Sequence, residues 1–217
     1  MKKNSTEQLS LFEEPTLSKN QAVDRLKPYF GQDLRAVAHE ILKLPRQGKL
    51  SQKGWAGLTI EALLGLRPNH KQGADFIDWE LKVIPLIYQA QSQSFVFKKE
   101  MKITLFQPLE MYQVSFFESF VYDKIKSMLI VCRIAETPTD ERSLLCGVFG
   151  FELSKDVEIL EALQREYDDL NWLISKEGTS ALSDFRGQWL QVRKDGDYWY
   201  FYATKELIAK MCQTRYI

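Results

Sequence analysis

The chain of 217 residues is long enough to bury one sizeable hydrophobic core without disulfide bonds. Its composition, 45% hydrophobic and 27% charged, is ordinary for a globular protein. No apolar stretch is long enough to cross a bilayer and no signal peptide is recognisable, so we expect a cytoplasmic protein without a membrane partner. The formal net charge is zero, so charge alone gives no argument for a nucleic-acid partner.

Secondary structure in the first third of the chain is predicted from hydrophobic periodicity. Residues 1–17 are polar apart from one hydrophobic cluster and predict a flexible arm. Helices are then predicted at about residues 20–29, 33–44 and 55–64. Asp33 is the expected N-cap of the second helix, and Gly65 is expected to end the third.

Strands dominate the rest of the chain. They are predicted at residues 75–77, 79–84, 94–98, 101–106, 128–134, 144–153, 189–193 and 198–202. Helices are predicted at residues 117–126, 157–175 and 205–211. With no internal repeat or interdomain linker, this mixture predicts one α+β domain over residues 18–217, built on a central mixed β-sheet flanked by helices.

The three cysteines and two histidines indicate neither a zinc site nor a histidine-dependent catalytic triad. Cys132, Cys146 and Cys212 are odd in number, widely spaced and in apolar surroundings, which predicts buried, reduced thiols. His39 and His70 have no partner at metal-ligand spacing, which argues against a histidine-dependent triad.

A pattern of acids and a lysine around the predicted strand 79–84 suggests nuclease chemistry. Because side chains alternate along a strand, Glu80 and Lys82 lie side by side on one face. A tight hairpin turn would bring Asp75 back beside Glu80, and two carboxylates could then hold Mg²⁺. Lys82 would steady or deprotonate the attacking water. The alternative is an exposed edge strand with a surface Glu/Lys pair.

A basic stretch precedes this strand. Between residues 41 and 74 the only acid is Glu61, and the basic residues are Lys43, Arg46, Lys49, Lys53, Arg67 and Lys71. The stretch is either a DNA-binding surface or a charged loop. Glu61 lies beside the apolar face of its predicted helix, where it would be either a neighbour of the metal site or the partner of a nearby lysine.

Several segments of the sequence are informative when they are taken together: Lys53 to Gly65 (KGWAGLTIEALLG), Asp75-Phe, Glu80 to Pro85 (ELKVIP), Ser119 to Leu129, Leu163 to Leu170 and Trp189 to Arg193. In this order they resemble the MutH family of DNA endonucleases. The family comprises the strand-nicking enzyme of methyl-directed mismatch repair and restriction enzymes that cut at GATC. The resemblance covers about residues 20–210 and implies a restriction-endonuclease-like core.

The resemblance also implies roles for individual residues. Glu61, Asp75 and Glu80 would be the metal ligands, and Asp75, Glu80, Lys82 and Lys124 the catalytic residues. Lys53, Arg193 and Lys194 would contact DNA, with Arg193 beside the base pairs.

Two departures from the family pattern concern the predicted hairpins. The interval from Asp75 to Glu80 is shorter than in the mismatch-repair enzyme, which implies a tighter turn but no missing ligand. The segment after Arg193 is also shorter, and Lys194 replaces a proline. Because that region recognises sequence in the family, GATC specificity and methylation sensitivity are less firmly implied than the chemistry.

The hydrophobic cluster in the N-terminal arm, Gln8-Leu-Ser-Leu-Phe12, resembles the pentapeptide by which bacterial repair proteins dock on the sliding clamp. Leu9, Leu11 and Phe12 would enter an apolar cleft while Gln8 forms a hydrogen bond. The alternative is that the cluster folds back onto the protein itself.

The sequence therefore predicts a Mg²⁺-dependent endonuclease that nicks double-stranded DNA at GATC-like sites in mismatch repair. One alternative is a restriction endonuclease that cuts both strands, and another is a catalytically idle DNA-binding module. The sequence leaves open whether a MutL-type activator is needed.

Overall fold

The computed structural model describes residues 17–44, 54–66, 78–111, 113–137 and 139–213. Within these ranges the α-helices are α1 (Lys19–Leu26), α2 (Leu34–Leu42), α3 (Trp55–Leu63), α4 (Pro108–Met111), α5 (Phe120–Ile125), α6 (Val157–Glu177) and α7 (Lys205–Met211). The strands are β1 (Glu80–Gln89), β2 (Ser94–Phe97), β3 (Met101–Phe106), β4 (Ser127–Ile134), β5 (Leu145–Glu152), β6 (Leu190–Asp195) and β7 (Tyr198–Ala203). The predicted arm up to residue 16 and the predicted strand 75–77 lie outside the described residues.

The helices begin and end close to where their caps predict. Asp33 caps α2 by accepting a hydrogen bond from the Arg35 amide (3.1 Å), and it also accepts one from the Ser143 amide (2.7 Å). Gly65 follows α3 with φ +84°, the left-handed conformation that favours glycine. The helix predicted at 117–126 is split, because Ser119 ends a 3₁₀ turn at Phe116–Glu118 and caps α5.

The central mixed sheet is confirmed. Its strand order is β2-β1-β4-β5, with β1 and β4 parallel and the other two pairs antiparallel. β4 is buried on both faces: Leu129 and Val131 pack with α1, α2 and α3, whereas Met128 and Ile130 pack with α5, α6 and α7. Helices thus flank the sheet on both sides, and the two faces of β1 meet two separate hydrophobic clusters.

A second sheet, antiparallel with order β3-β7-β6, was not anticipated as a separate unit. Alternation predicted its strands, but a period of two residues does not specify which strands pair. The β6–β7 hairpin turns at Gly196, which has φ +62°, as the Asp-Gly pair predicts.

Strand β1 runs past its predicted end at Ile84 to Gln89. Pro85 does not break it, because β2 pairs with β1 only from Leu86 onward. The Lys98 amide donates to the Pro85 carbonyl oxygen (2.9 Å) at the end of that paired segment.

The three cysteines are free thiols, as predicted, although only Cys132 is fully buried. The neighbouring Cys212 thiol, and then burial, raise the pKa of the Cys132 thiol.

Among the helices in the described ranges, none combines the length and the apolar character needed to span a membrane.

Candidate active site

Glu80 is the first residue of β1 and its carboxylate is buried inside the protein. The residue is 2% exposed. Its flanking residues Trp79 and Leu81 pack into the cluster formed with α3, so alternation turns Glu80 to the opposite face, beside Met128 of β4 and toward α5. The sequence therefore places a carboxylate where burial requires positively charged partners.

Two lysines pair with this carboxylate. Lys82 Nζ lies 2.5 Å from Glu80 Oε1, and Lys124 Nζ lies 2.7 Å from Glu80 Oε2. Lys82 comes from the same strand face, two residues on, whereas Lys124 comes from the last turn of α5. Val121 and Ile125 fix α5 because both are fully buried in the core. The structure thus brings together three of the predicted site residues, and Glu80 is too buried for a surface ion pair.

The three side chains differ in how far solvent reaches them. The Lys82 side chain is 21% exposed, that of Lys124 is 10% exposed and that of Glu80 is 2% exposed. Among the described residues, two ion pairs in this cluster join one carboxylate to two ammonium groups. Lys82 is the member most accessible to a solvent-borne anion, whereas Lys124 is placed to hold Glu80.

The structure describes two of the three predicted metal ligands, Glu61 and Glu80. Asp75 lies outside the described residues. Glu61 is half-buried on α3, which packs against Trp79 and Leu81 on the face of β1 opposite to Glu80. Within residues 17–44, 54–66, 78–111, 113–137 and 139–213, no three His, Cys, Asp or Glu side chains form a group able to hold a metal.

The chemistry of Glu80 suits Mg²⁺, because carboxylate oxygens are the hard ligands that this ion prefers. Each of its oxygens already accepts a hydrogen bond from a lysine. Because each carboxylate oxygen has more than one lone pair, an ion could share Glu80 with the lysines, and it would need further carboxylates, for which Asp75 is a predicted source.

The predicted DNA contacts Arg193 and Lys194 lie on β6, in the second sheet. Arg193 forms an ion pair with Glu100 (3.1 Å), and its guanidinium lies 5.2 Å from the centre of the Tyr202 ring. The pKa of the Glu100 carboxyl is lowered by a hydrogen bond from its own backbone amide and by Arg193. Lys53, the third predicted DNA contact, lies outside the described residues, as do the other basic residues of that stretch except Lys43.

Arg193 and Lys194 line a groove of about 580 Å³ between β6 and the 3₁₀ turn at Thr179–Asp184. Sequence reasoning missed two other lining residues, Arg186 and Trp199. Neither belongs to a recognisable motif, and only the folding of the 3₁₀ turn against β6 brings them together. The groove combines three cationic side chains with an aromatic ring.

The cluster places one buried carboxylate between two ammonium groups at the start of a sheet strand. Residues 64–161 match the family model described as the DNA mismatch repair enzyme MutH, and this segment contains Glu80, Lys82 and Lys124. This segment, a little under half of the chain, is therefore similar to the MutH family.

One solved structure similar to this chain is the restriction endonuclease MvaI in complex with its cognate DNA substrate. The two chains are 11% identical, and the match covers 82% of this chain and 94% of the other, with a TM-score of 0.37. No curated protein matches the sequence significantly.

Proposed function

We propose that this protein is a Mg²⁺-dependent endonuclease that hydrolyses one phosphodiester bond and leaves a nick at GATC-like sites. The observation that supports this best is the buried Glu80 carboxylate between Lys82 and Lys124, inside the segment matched to the MutH family. A protein that only bound DNA would not need a buried charge cluster of this kind, since burial of such groups opposes folding.

The two lysines have different roles in the proposed reaction. Negative charge builds up on the scissile phosphate in the transition state, and fixed positive groups stabilise it. Lys82, the more exposed lysine, is placed to contact the phosphate and the attacking water. Lys124 holds Glu80 in place from α5 and adds a second positive charge.

Glu61, Asp75 and Glu80 are the proposed metal ligands. When bound, Mg²⁺ would polarise the scissile phosphate and lower the pKa of a coordinated water. Lys53, Arg193 and Lys194 are the proposed DNA contacts, and Arg193 is suited to guanine O6 and N7 in the major groove. For this role Arg193 must leave its ion pair with Glu100. That ion pair is partly exposed to solvent and therefore weak enough to be replaced by a contact with DNA.

The test is a plasmid assay with the wild-type protein and Lys82→Ala. GATC-containing plasmid is prepared unmethylated, hemimethylated and fully methylated, and incubated with Mg²⁺ or with EDTA. We expect wild type to convert supercoiled unmethylated or hemimethylated plasmid to open circles only with Mg²⁺, and Lys82→Ala to be inactive. Linear products would indicate a restriction endonuclease. No metal-dependent cutting by wild type would leave the DNA-binding module as the function.

We further propose that the protein acts in mismatch repair in the cytoplasm, guided by the sliding clamp through Gln8, Leu9, Leu11 and Phe12. These residues lie outside the described part of the structure, so the proposal rests on the sequence resemblance. Coupling to the replication machinery would tell the nuclease which DNA is newly made. Faster nicking when a MutL-type protein is added would support an activator as a second partner.

Deletion of residues 1–14 tests the clamp proposal. The truncated protein is expected to lose binding to a bacterial sliding clamp in a pull-down while its basal nicking rate stays unchanged, because none of the proposed catalytic, metal or DNA-contacting residues lies in the deleted segment. The paired substitution Leu11→Ala/Phe12→Ala should have the same effect, and Ser5→Ala should have none. Retention of clamp binding by the truncated protein would refute the assignment.

A further inference from the structure

The carboxylate of Glu166, in the middle of α6, binds the backbone at the start of β6. The Gln188 amide donates to Oε1 (2.7 Å) and the Leu190 amide donates to Oε2 (2.7 Å), while the Trp189 amide lies 3.1 Å from both oxygens. Three consecutive backbone donors on one carboxylate form charge-assisted hydrogen bonds, which are stronger than neutral ones.

The contact depends on a glycine directly before these amides. A Cβ atom at Gly187 would lie 2.4 Å from Glu166 Oε2 and 2.5 Å from the Leu190 carbonyl oxygen, so no other residue fits without a shift of the backbone. A side chain at position 187 would therefore prevent this close approach of the backbone to the carboxylate. This close approach fixes the distance between α6 and β6.

Thr204 holds the same segment, residues 188–190, by donating hydrogen bonds to carbonyl oxygens of that segment. The Thr204 amide donates to the Trp189 carbonyl oxygen (3.0 Å), and the Thr204 hydroxyl donates to the Gln188 carbonyl oxygen (2.8 Å). Helix α6 is itself fixed, because Leu163, Tyr167 and Leu170 on its apolar side are fully buried. Residues 188–190 are thus anchored to the core through both their N–H and their C=O groups.

The anchor supports the part of the molecule that carries the proposed base contact. β6 is the edge strand of its sheet: β7 pairs with it along its length, and in the described structure the other edge has one isolated bridge, between Gln191 and Arg186. Arg193 lies three residues beyond Leu190, about 10 Å along the strand. A small displacement at residues 188–190 therefore moves Arg193, Lys194 and the groove that they line.

We propose that Glu166 is a positioning residue for DNA sequence recognition, which fixes β6 so that Arg193 and Lys194 meet the base edges. This inference rests on the proposed function. Bidentate recognition of a base by arginine requires accurate placement, and an error of about 1 Å is enough to weaken it strongly. Glu166 does not contact the DNA and acts only through the β6 backbone.

The test compares Glu166→Gln with Glu161→Gln, which changes an exposed carboxylate on the same helix. Glutamine keeps one acceptor oxygen but points an NH₂ donor at the backbone amides. We expect the ratio of kcat/KM for a GATC duplex to that for a scrambled duplex to fall about tenfold in Glu166→Gln, which is within the range for one lost base contact. The rate on the scrambled duplex should be unchanged, and Glu161→Gln should resemble wild type. Amide hydrogen exchange at residues 188–190 should be faster in Glu166→Gln.

A folded Glu166→Gln protein with an unchanged ratio would overturn the inference, since a merely structural residue would lower the melting temperature without changing sequence preference. If that variant does not fold, Glu166→Asp, which shortens the side chain and keeps the charge, is measured in the same way and judged by the same ratio. If wild type cuts neither duplex, the proposed function fails. In that case unchanged exchange at residues 188–190 would overturn the anchor as well, and faster exchange would support it.

Discussion

Glu80→Ala is expected to abolish DNA cleavage and to lower the free energy of unfolding by about 3 kcal/mol, the cost of leaving a buried charge without its partner. Glu80 pairs with two ammonium groups that lie largely out of solvent, at 21% and 10% side-chain exposure for Lys82 and Lys124. Without the carboxylate these groups repel each other in a medium of low polarity. The midpoint of urea unfolding at constant m-value measures the stability loss, and the plasmid assay measures the activity.

The cause of this loss can be isolated with a second substitution. Glu80→Ala/Lys124→Met removes the more buried ammonium together with the carboxylate and leaves Lys82, which can reach solvent. We expect it to recover part of the stability of Glu80→Ala but none of the activity. Glu161→Ala, an exposed carboxylate on α6, is the control and should leave both unchanged. An unfolding midpoint for Glu80→Ala equal to that of wild type would show that the cluster does not stabilise the fold.

Lys124→Met is expected to lower kcat by about 10²–10³-fold, the usual effect of removing one group that stabilises transition-state charge. Methionine keeps the length of the side chain and suits the buried site on α5. Because Glu80 keeps Lys82 as a partner, the stability loss should be smaller than in Glu80→Ala. Single-turnover cleavage of an oligonucleotide duplex at saturating protein measures the rate of the chemical step.

The matched control is Lys126→Met, two residues further on. Lys126 pairs with Asp123 (2.7 Å) and its side chain is 43% exposed, so it lies outside the Glu80 cluster. Its substitution should change neither kcat nor KM. A Lys124→Met enzyme with normal kcat and a raised KM would contradict the proposed role, since that result would mean that Lys124 contributes to binding of the substrate and transition state equally.

The sequence by itself determined most of the helices and strands of this protein, because their patterns are local. The period of α6, the Asp33 cap of α2 and the Gly196 turn each depend on a few neighbouring residues, and the structure has them where they were predicted. The juxtaposition of Glu80 and Lys82 is also local, since residues two apart on a strand share a face. What these patterns do not contain is the pairing of strands, which produced two sheets where one was expected.

Only the tertiary structure decided what surrounds those residues. Lys124 is separated from Glu80 by 44 positions, and a family resemblance suggested its role, but the packing of α5 on the sheet places its ammonium group on the carboxylate. Glu166 lies in the segment Leu163 to Leu170 that resembles the family, but no pattern assigned it a role, because its partners are backbone amides, which every residue except proline provides. The sequence fixes side-chain chemistry and local conformation, whereas burial and long-range contacts depend on how the elements pack, and these convert a Glu-x-Lys pair into a buried charged cluster.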